Sequence, residues 1–165
     1  MKGAPAWRLE APDLTVCFTD GVYGGYSENL KNGCGDFVLR RADGVFVYQL
    51  AVVVDDGASG VTQVVRGCDL LSSTPRQLYL CRLLGLPEPS YWHVPMLTDG
   101  EGRKLSKRDA AMDLGQLRRE HRPEEIVGQL AFRSGLIDHP EPLSAAELLP
   151  EFRWEKLKRE DIIME

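Results

Sequence analysis

Apolar positions along this chain fall into three regimes: an irregular start, a middle where strand and helix spacings alternate, and a tail with apolar residues three and four apart. "LTVCFTD" at 14–20 predicts a short strand, and "GVYGGYSENLKNGCG" after it predicts a glycine-rich loop. In "DFVLRRADGVFVYQL", Phe37, Leu39, Val45 and Val47 flank Ala42-Asp43-Gly44, which predicts a two-strand hairpin. "YQLAVVVDD" at 48–56 is ambiguous. Its three valines favour a strand, yet Leu50, Val53 and Val54 also fit one helical face. "GVTQVVRG" at 60–67 is β-branched, short and bounded by glycines, and predicts a strand.

The clearest helix is "SSTPRQLYLCRLLGLPEP". Ser73 or Thr74 can cap it, and Pro75 suits its first turn. Leu78, Leu80, Cys81, Leu83 and Leu84 supply the apolar spacing, and Gly85 with Pro87 ends it. "YWHVPML" at 91–97 predicts a strand and Thr98 to Arg103 a turn. Strand, helix, strand is the pattern of a parallel α/β sheet. Beyond residue 110 the spacing becomes helical: Met112, Leu114 and Leu117, then Ile126, Leu130 and Leu136. Pro123 with Glu124 and Glu125 makes a favourable first turn, because acidic groups complement a helix N-terminus. "LSAAELL" predicts another short helix ended by Pro150, and "WEKLKRED" a polar, exposed segment.

Composition narrows the classes. Hydrophobic residues make up 43% and charged residues 27% of 165, enough for a packed core. A net charge of −5 argues against a global electrostatic hold on nucleic acid, though not against a local basic patch. No apolar run approaches the roughly 20 residues that span a bilayer, and "MKGAPAWRLEAPD" lacks the apolar stretch of a signal peptide. A cytoplasmic protein with no membrane partner is expected. Cys17, Cys34, Cys68 and Cys81 lack zinc-ligand spacing, so buried free thiols and no metal are expected.

"EGRKLSKRDAA" at 101–111 carries the most suggestive chemistry. Lys104 and Lys107 can close around a triphosphate and meet charge developing on a leaving pyrophosphate, with Ser106 as a hydroxyl donor. An exposed basic turn before a helix fits the same residues.

Its neighbours separate the two. "YQLAVVVDD", "GVTQVVRGCD", "STPRQ", a strand ending in "HVP", and "KLSKR" follow one another in the order found in glutamyl-type class I aminoacyl-tRNA synthetases, which this chain resembles closely over residues 36 to 109. "KLSKR" is similar to the KMSKS-type loop of that group. The phrasing "AWRL", "FTD" and "GDFVLRRADGVFVYQLAVVVDD", the 56 residues after Asp109, and the ending "LLPEFRWEKLKREDI" resemble the group's truncated glutamyl-Q branch. Its members activate glutamate with ATP and transfer it to queuosine in the anticodon of tRNA(Asp).

The resemblance implies an α/β fold: the C-terminal half of a Rossmann-like class I synthetase catalytic domain at 1–110, ending in the loop, then a small helical subdomain at 111–165. It implies that residues after Tyr48 are helical. It places glutamate on Tyr48 and Arg66, and chemistry supports both, since a guanidinium grips a carboxylate bidentately and a phenol donates to one. It implies that Lys107 is catalytic and binds ATP phosphates, with Lys104 and Ser106 in support and Asp69 near adenosine. Read on their own residues, Tyr48 is equally a half-buried aromatic, Arg66 a strand-end charge and Asp69 a cap. Asp55 and Asp56 resemble an acid–base pair, but the resemblance implies a structural role. Mg²⁺ is implied with ATP.

The chain's departure from the family is large. No HIGH-type motif precedes the loop, and His93, His121 and His139 stand in other surroundings. The family's zinc-binding cysteine cluster is missing too. Residue 1 is therefore expected to fall inside the family's domain. Half a nucleotide-binding fold leaves a sheet edge uncovered, so self-association, or pairing with the missing N-terminal half, is expected. The chain alone is expected to be inactive. Two other readings are a fragment of an ordinary glutamyl-tRNA synthetase, and a non-catalytic module binding RNA or a partner through "LRREHR" at 117–122.

Overall fold

In the computed structural model, residues 5–104 and 114–163 are described. They form two compact units, one up to His93 and one from Val94 onward.

The first unit is built on strands β1 (Trp7–Leu9), β2 (Thr15–Asp20), β3 (Gly24–Asn29), β4 (Phe37–Arg40), β5 (Gln63–Gly67) and β6 (Ser90–Val94). Its main sheet has the order β3-β2-β6-β5. β2 and β3 are antiparallel, from Thr15 opposite Asn29 to Asp20 opposite Gly24. β2 and β6 are parallel, with Asp20 beside Tyr91. The segment expected to be a glycine-rich loop therefore contains a strand. Gly24 and Gly25 hide its signal, but the turn before it is fixed by the Asp20 carboxylate, which accepts from the Val22 and Tyr23 amides at 2.9 Å each.

The predicted hairpin at Asp43-Gly44 is half formed. β4 pairs antiparallel with β1, while the second arm makes a single bridge, Phe46 opposite Arg40. Helix α1 (Tyr48–Ala58) starts directly after it. There the valines yield to packing: Val53 is buried with Phe37, Leu80 and Cys81, and Leu50 and Val52 pack against that cluster. Burial at helical spacing outweighs a β-propensity spread of only about 1 kcal/mol.

A 3₁₀ turn (Cys68–Ser73) leads into α2 (Thr74–Leu84). Leu78 packs with Ala11, Val16, Leu30 and Tyr91, while Leu80 and Cys81 face the α1 cluster. Neither Ser73 nor Thr74 caps α2 with its side chain as expected; both hydroxyls are engaged elsewhere. Gly85 ends the helix with φ of 66°, a left-handed backbone that suits glycine. Pro95, without an N–H to donate, lies just past the end of β6, so the strand expected at 91–97 splits into β6 and a separate β7 (Leu97–Thr98).

In the second unit, β7 runs parallel to β8 (Ile162–Ile163), pairing Leu97 with Ile162. The expected turn closes as the Asp99 carboxylate accepts from the Glu101 and Arg103 amides and from Arg103 Nε. Helices α3 (Leu114–Glu120), α4 (Pro123–Arg133) and α5 (Ala145–Leu148) follow. Glu125 accepts from the Arg122 amide at 2.8 Å at the start of α4. Ser144 and Glu147 exchange bonds in a capping box at α5. Ala131, Leu136 and Ile162 are buried. A Cβ on Gly128 of α4 would fall 1.8 Å from the Glu141 carbonyl oxygen, so only glycine fits there.

Among the cysteines, all four are free thiols; Cys81 alone is buried, and Cys17 is exposed rather than buried as expected. No described helix is long and apolar enough to cross a membrane.

Candidate active site

Three adjacent strands deliver polar side chains at their carboxyl ends, where open α/β sheets bind ligands. Asp20 closes β2, Arg66 is the penultimate residue of β5, and His93 is the penultimate residue of β6. Arg66 Nε donates to His93 Nε2 at 3.0 Å. Its Nη2 donates to Thr74 Oγ1 at 2.8 Å and to the Leu70 carbonyl at 3.4 Å. The guanidinium also lies 5.1 Å from the Tyr91 ring centroid, and the Tyr91 and His93 rings stack at 6.0 Å. Arg66 is thus a held side chain, not a loose strand-end charge.

Behind it lies a buried dyad. Asp20 and His93 are 2% and 0% exposed, and His93 Nδ1 donates to Asp20 Oδ2 at 2.6 Å. The His93 amide also donates to this carboxylate. Burial alone would raise the Asp20 pKa, but donors from Tyr23, His93 and Val22 outweigh it and hold the carboxyl below its usual range. Burial holds the His93 pKa down, helped by Arg66 and opposed by Asp20. A neutral imidazole protonated on Nδ1 satisfies every partner. Burial pushes the Tyr91 phenol up to about 12.

Tyr48 opens α1 and is 51% exposed. The next residue, Gln49, donates to Ser73 Oγ at 3.1 Å and accepts from the buried Gln77 at 2.7 Å. That chain ties the first turn of α1 to the start of α2, where Thr74 meets Arg66. Asp69 lies exposed in the intervening 3₁₀ turn. Asp55 and Asp56 sit near the C-terminal end of α1. In the second unit Lys104 bridges to Thr98. Ser106 and Lys107 lie outside the described residues. Among the described residues no group of three or more His, Cys, Asp or Glu side chains is placed to hold a metal.

Sequence reasoning missed Asp20, His93 and Thr74. "FTD" and "HVP" carried the signal, but a lone aspartate and a lone histidine 73 residues apart meet only through the β2–β6 pairing. In "LRREHR", Glu125 takes up two of the four basic side chains, lying 3.9 Å from His121 and 3.4 Å from Arg122.

A family model described as the catalytic domain of class I tRNA synthetases (E and Q) matches residues 3–159. A glutamyl-Q tRNA(Asp) synthetase of Neisseria meningitidis serogroup C is 50% identical over 145 residues, 88% of this chain and 48% of that protein. That of Symbiobacterium thermophilum is 48% identical over 160 residues, 96% of this chain and 49% of that protein. A crystal structure of a glutamate tRNA ligase from Elizabethkingia meningosepticum, in complex with its amino acid, superposes with a TM-score of 0.79 at 27% identity. It covers 96% of this chain and 36% of that one. The chain spans about half the length of the curated relatives it matches.

Proposed function

We propose, from the premise that this chain belongs to the catalytic-domain family of class I tRNA synthetases (E and Q), that it contributes to ATP-dependent activation of glutamate and its transfer to queuosine of tRNA(Asp). The observation that carries the reading is Arg66, fixed at the carboxyl edge of the sheet by His93 and Thr74. It is supported by identity near 50% to relatives named for that activity.

Glutamate has two carboxylates. Arg66 grips one, with the Tyr48 hydroxyl as a second donor, and leaves the other to attack the α-phosphorus of ATP. The new P–O bond makes glutamyl-adenylate, and the broken one releases pyrophosphate. Lys107, supported by Lys104 and Ser106, meets the negative charge that develops on the leaving group, with Asp69 toward adenosine. A queuosine hydroxyl then attacks the acyl carbon and AMP departs. In such sites Mg²⁺ is carried largely on substrate phosphates, and no step here depends on a protein cage for it.

In the whole enzyme, Lys107→Ala is expected to abolish glutamate-dependent ATP–pyrophosphate exchange. Exchange at the unsubstituted rate would remove the loop from the mechanism.

A further inference from the structure

We infer that Asp20 and His93 are positioning residues that set the orientation of the Arg66 guanidinium, and through it the affinity for glutamate. The inference rests on the reading of Arg66 as the carboxylate grip, and concerns two residues that touch no substrate themselves.

Burying an ionised carboxylate and an imidazole is costly unless every lone pair and proton is matched. Here each is matched in one sense only. Asp20 accepts from the Val22, Tyr23 and His93 amides and from the His93 ring. An ionised Asp20 has no proton to give, so His93 must donate from Nδ1. The proton is then absent from Nε2, and that lone pair faces Arg66 Nε–H at 3.0 Å. The opposite tautomer would set two N–H groups against each other at that distance. The Thr74 hydroxyl accepts from Arg66 Nη2, and its own proton faces Leu70 O at 3.5 Å or His93 Nε2 at 3.4 Å. Chemistry at the far end of the line, on β2, thus decides whether the guanidinium on β5 is held or repelled. A third orienting group behind a histidine is a recurrent device for fixing its tautomer.

Asp20→Asn makes the test specific. The amide oxygen can still accept from the Val22 and Tyr23 amides, so the amide nitrogen is left facing His93 Nδ1. The amide nitrogen donates, so His93 Nδ1 must then accept, which moves the ring proton to Nε2 and against Arg66. In the whole enzyme, Asp20→Asn is expected to raise the glutamate KM roughly tenfold, as loss of one charge-assisted bond would. The KM for ATP and kcat should stay near their original values. Ring ¹⁵N shifts of His93 should show the proton exchanging sites. His93→Gln, whose amide can accept from Arg66 and donate to Asp20, is expected to retain the original glutamate KM, whereas His93→Leu should lose it.

A merely structural dyad would lower stability and active fraction without singling out glutamate. If Arg66→Ala raises the glutamate KM but Asp20→Asn and His93→Leu leave it unchanged, the inference is overturned while the reading of Arg66 stands. If Arg66→Ala itself leaves that KM unchanged, both fall.

Discussion

Thr74→Val removes one buried hydroxyl and keeps the side-chain shape. Thr74 is fully buried, and its Oγ1 is the shortest hydrogen-bond partner of Arg66, at 2.8 Å. After substitution Arg66 Nη2 keeps only the Leu70 carbonyl, at 3.4 Å a weak acceptor. A hydrogen bond to a charged group contributes about 1.5–3 kcal/mol. The residual Leu70 contact and the partial exposure of Arg66 argue for the lower end, about 1.5 kcal/mol. With a urea m-value of about 2 kcal/mol/M, the unfolding midpoint of the first unit should fall by about 0.75 M. The assay is urea unfolding followed by NMR at the Trp92 indole, one residue from His93 in β6. A companion Ser73→Ala, which removes the Gln49 partner but none of Arg66, separates this from general disturbance of the α2 start. A Thr74→Val midpoint within about 0.2 M of the original would refute the claim that Arg66 is anchored there, since 1.5 kcal/mol could not go unseen.

Acid should destabilise the first unit in two stages. His93 has a folded pKa below the unfolded value near 6.5, so its contribution is present above about pH 6.5 and is lost as pH falls through the folded value. Asp20 is also depressed, and its contribution fades below about pH 4. Urea midpoints between pH 8 and 3 check both; a midpoint that rises on acidification below 6.5 would contradict the neutral, Nδ1-protonated His93. In the second unit, Gly128→Ala drives a methyl into the Glu141 carbonyl and should cost about 1–3 kcal/mol or more, as overpacking does. Thermal unfolding that is unchanged would show that α4 and the 141–143 segment can separate freely. Ser144→Ala removes the hydroxyl that accepts from the Glu147 amide at 3.2 Å and should cost about 0.5–2 kcal/mol, read by the same melt.

Much of the fold was legible wherever one physical cause dominated. Leu78, Leu80 and Cys81 at helical spacing after a proline marked α2, and Gly85 marked its end, because burial and a left-handed backbone leave clear signatures. α1 was not legible from its residues alone. Three valines argue for a strand, and only packing on Phe37, Leu80 and Cys81, contributed by β4 and α2, selects the helix. β3 was lost because Gly24 and Gly25 carry no side-chain pattern, while the carboxylate that fixes its turn belongs to the preceding strand.

The candidate site divides the same way. Tyr48 and Arg66 were singled out because they lie in motifs whose order along the chain resembles a family. Asp20 and His93 were passed over because "FTD" and "HVP" give no sign, each on its own, that the two side chains meet. A histidine in "HVP" is ordinary until a parallel strand brings an aspartate to 2.6 Å from it. Buried polar partners of this kind are written in strand pairing rather than in spacing, and so become visible only when the sheet is assembled.

The proposed site stands or falls on Arg66 as the grip on a carboxylate of glutamate. The direct measurement is glutamate-dependent ATP–pyrophosphate exchange by the whole enzyme carrying Arg66→Lys, which keeps the charge but not the forked geometry. A glutamate KM raised by at least about tenfold, with the ATP KM unchanged, is expected. An unaltered glutamate KM, or a rise confined to ATP, would contradict it.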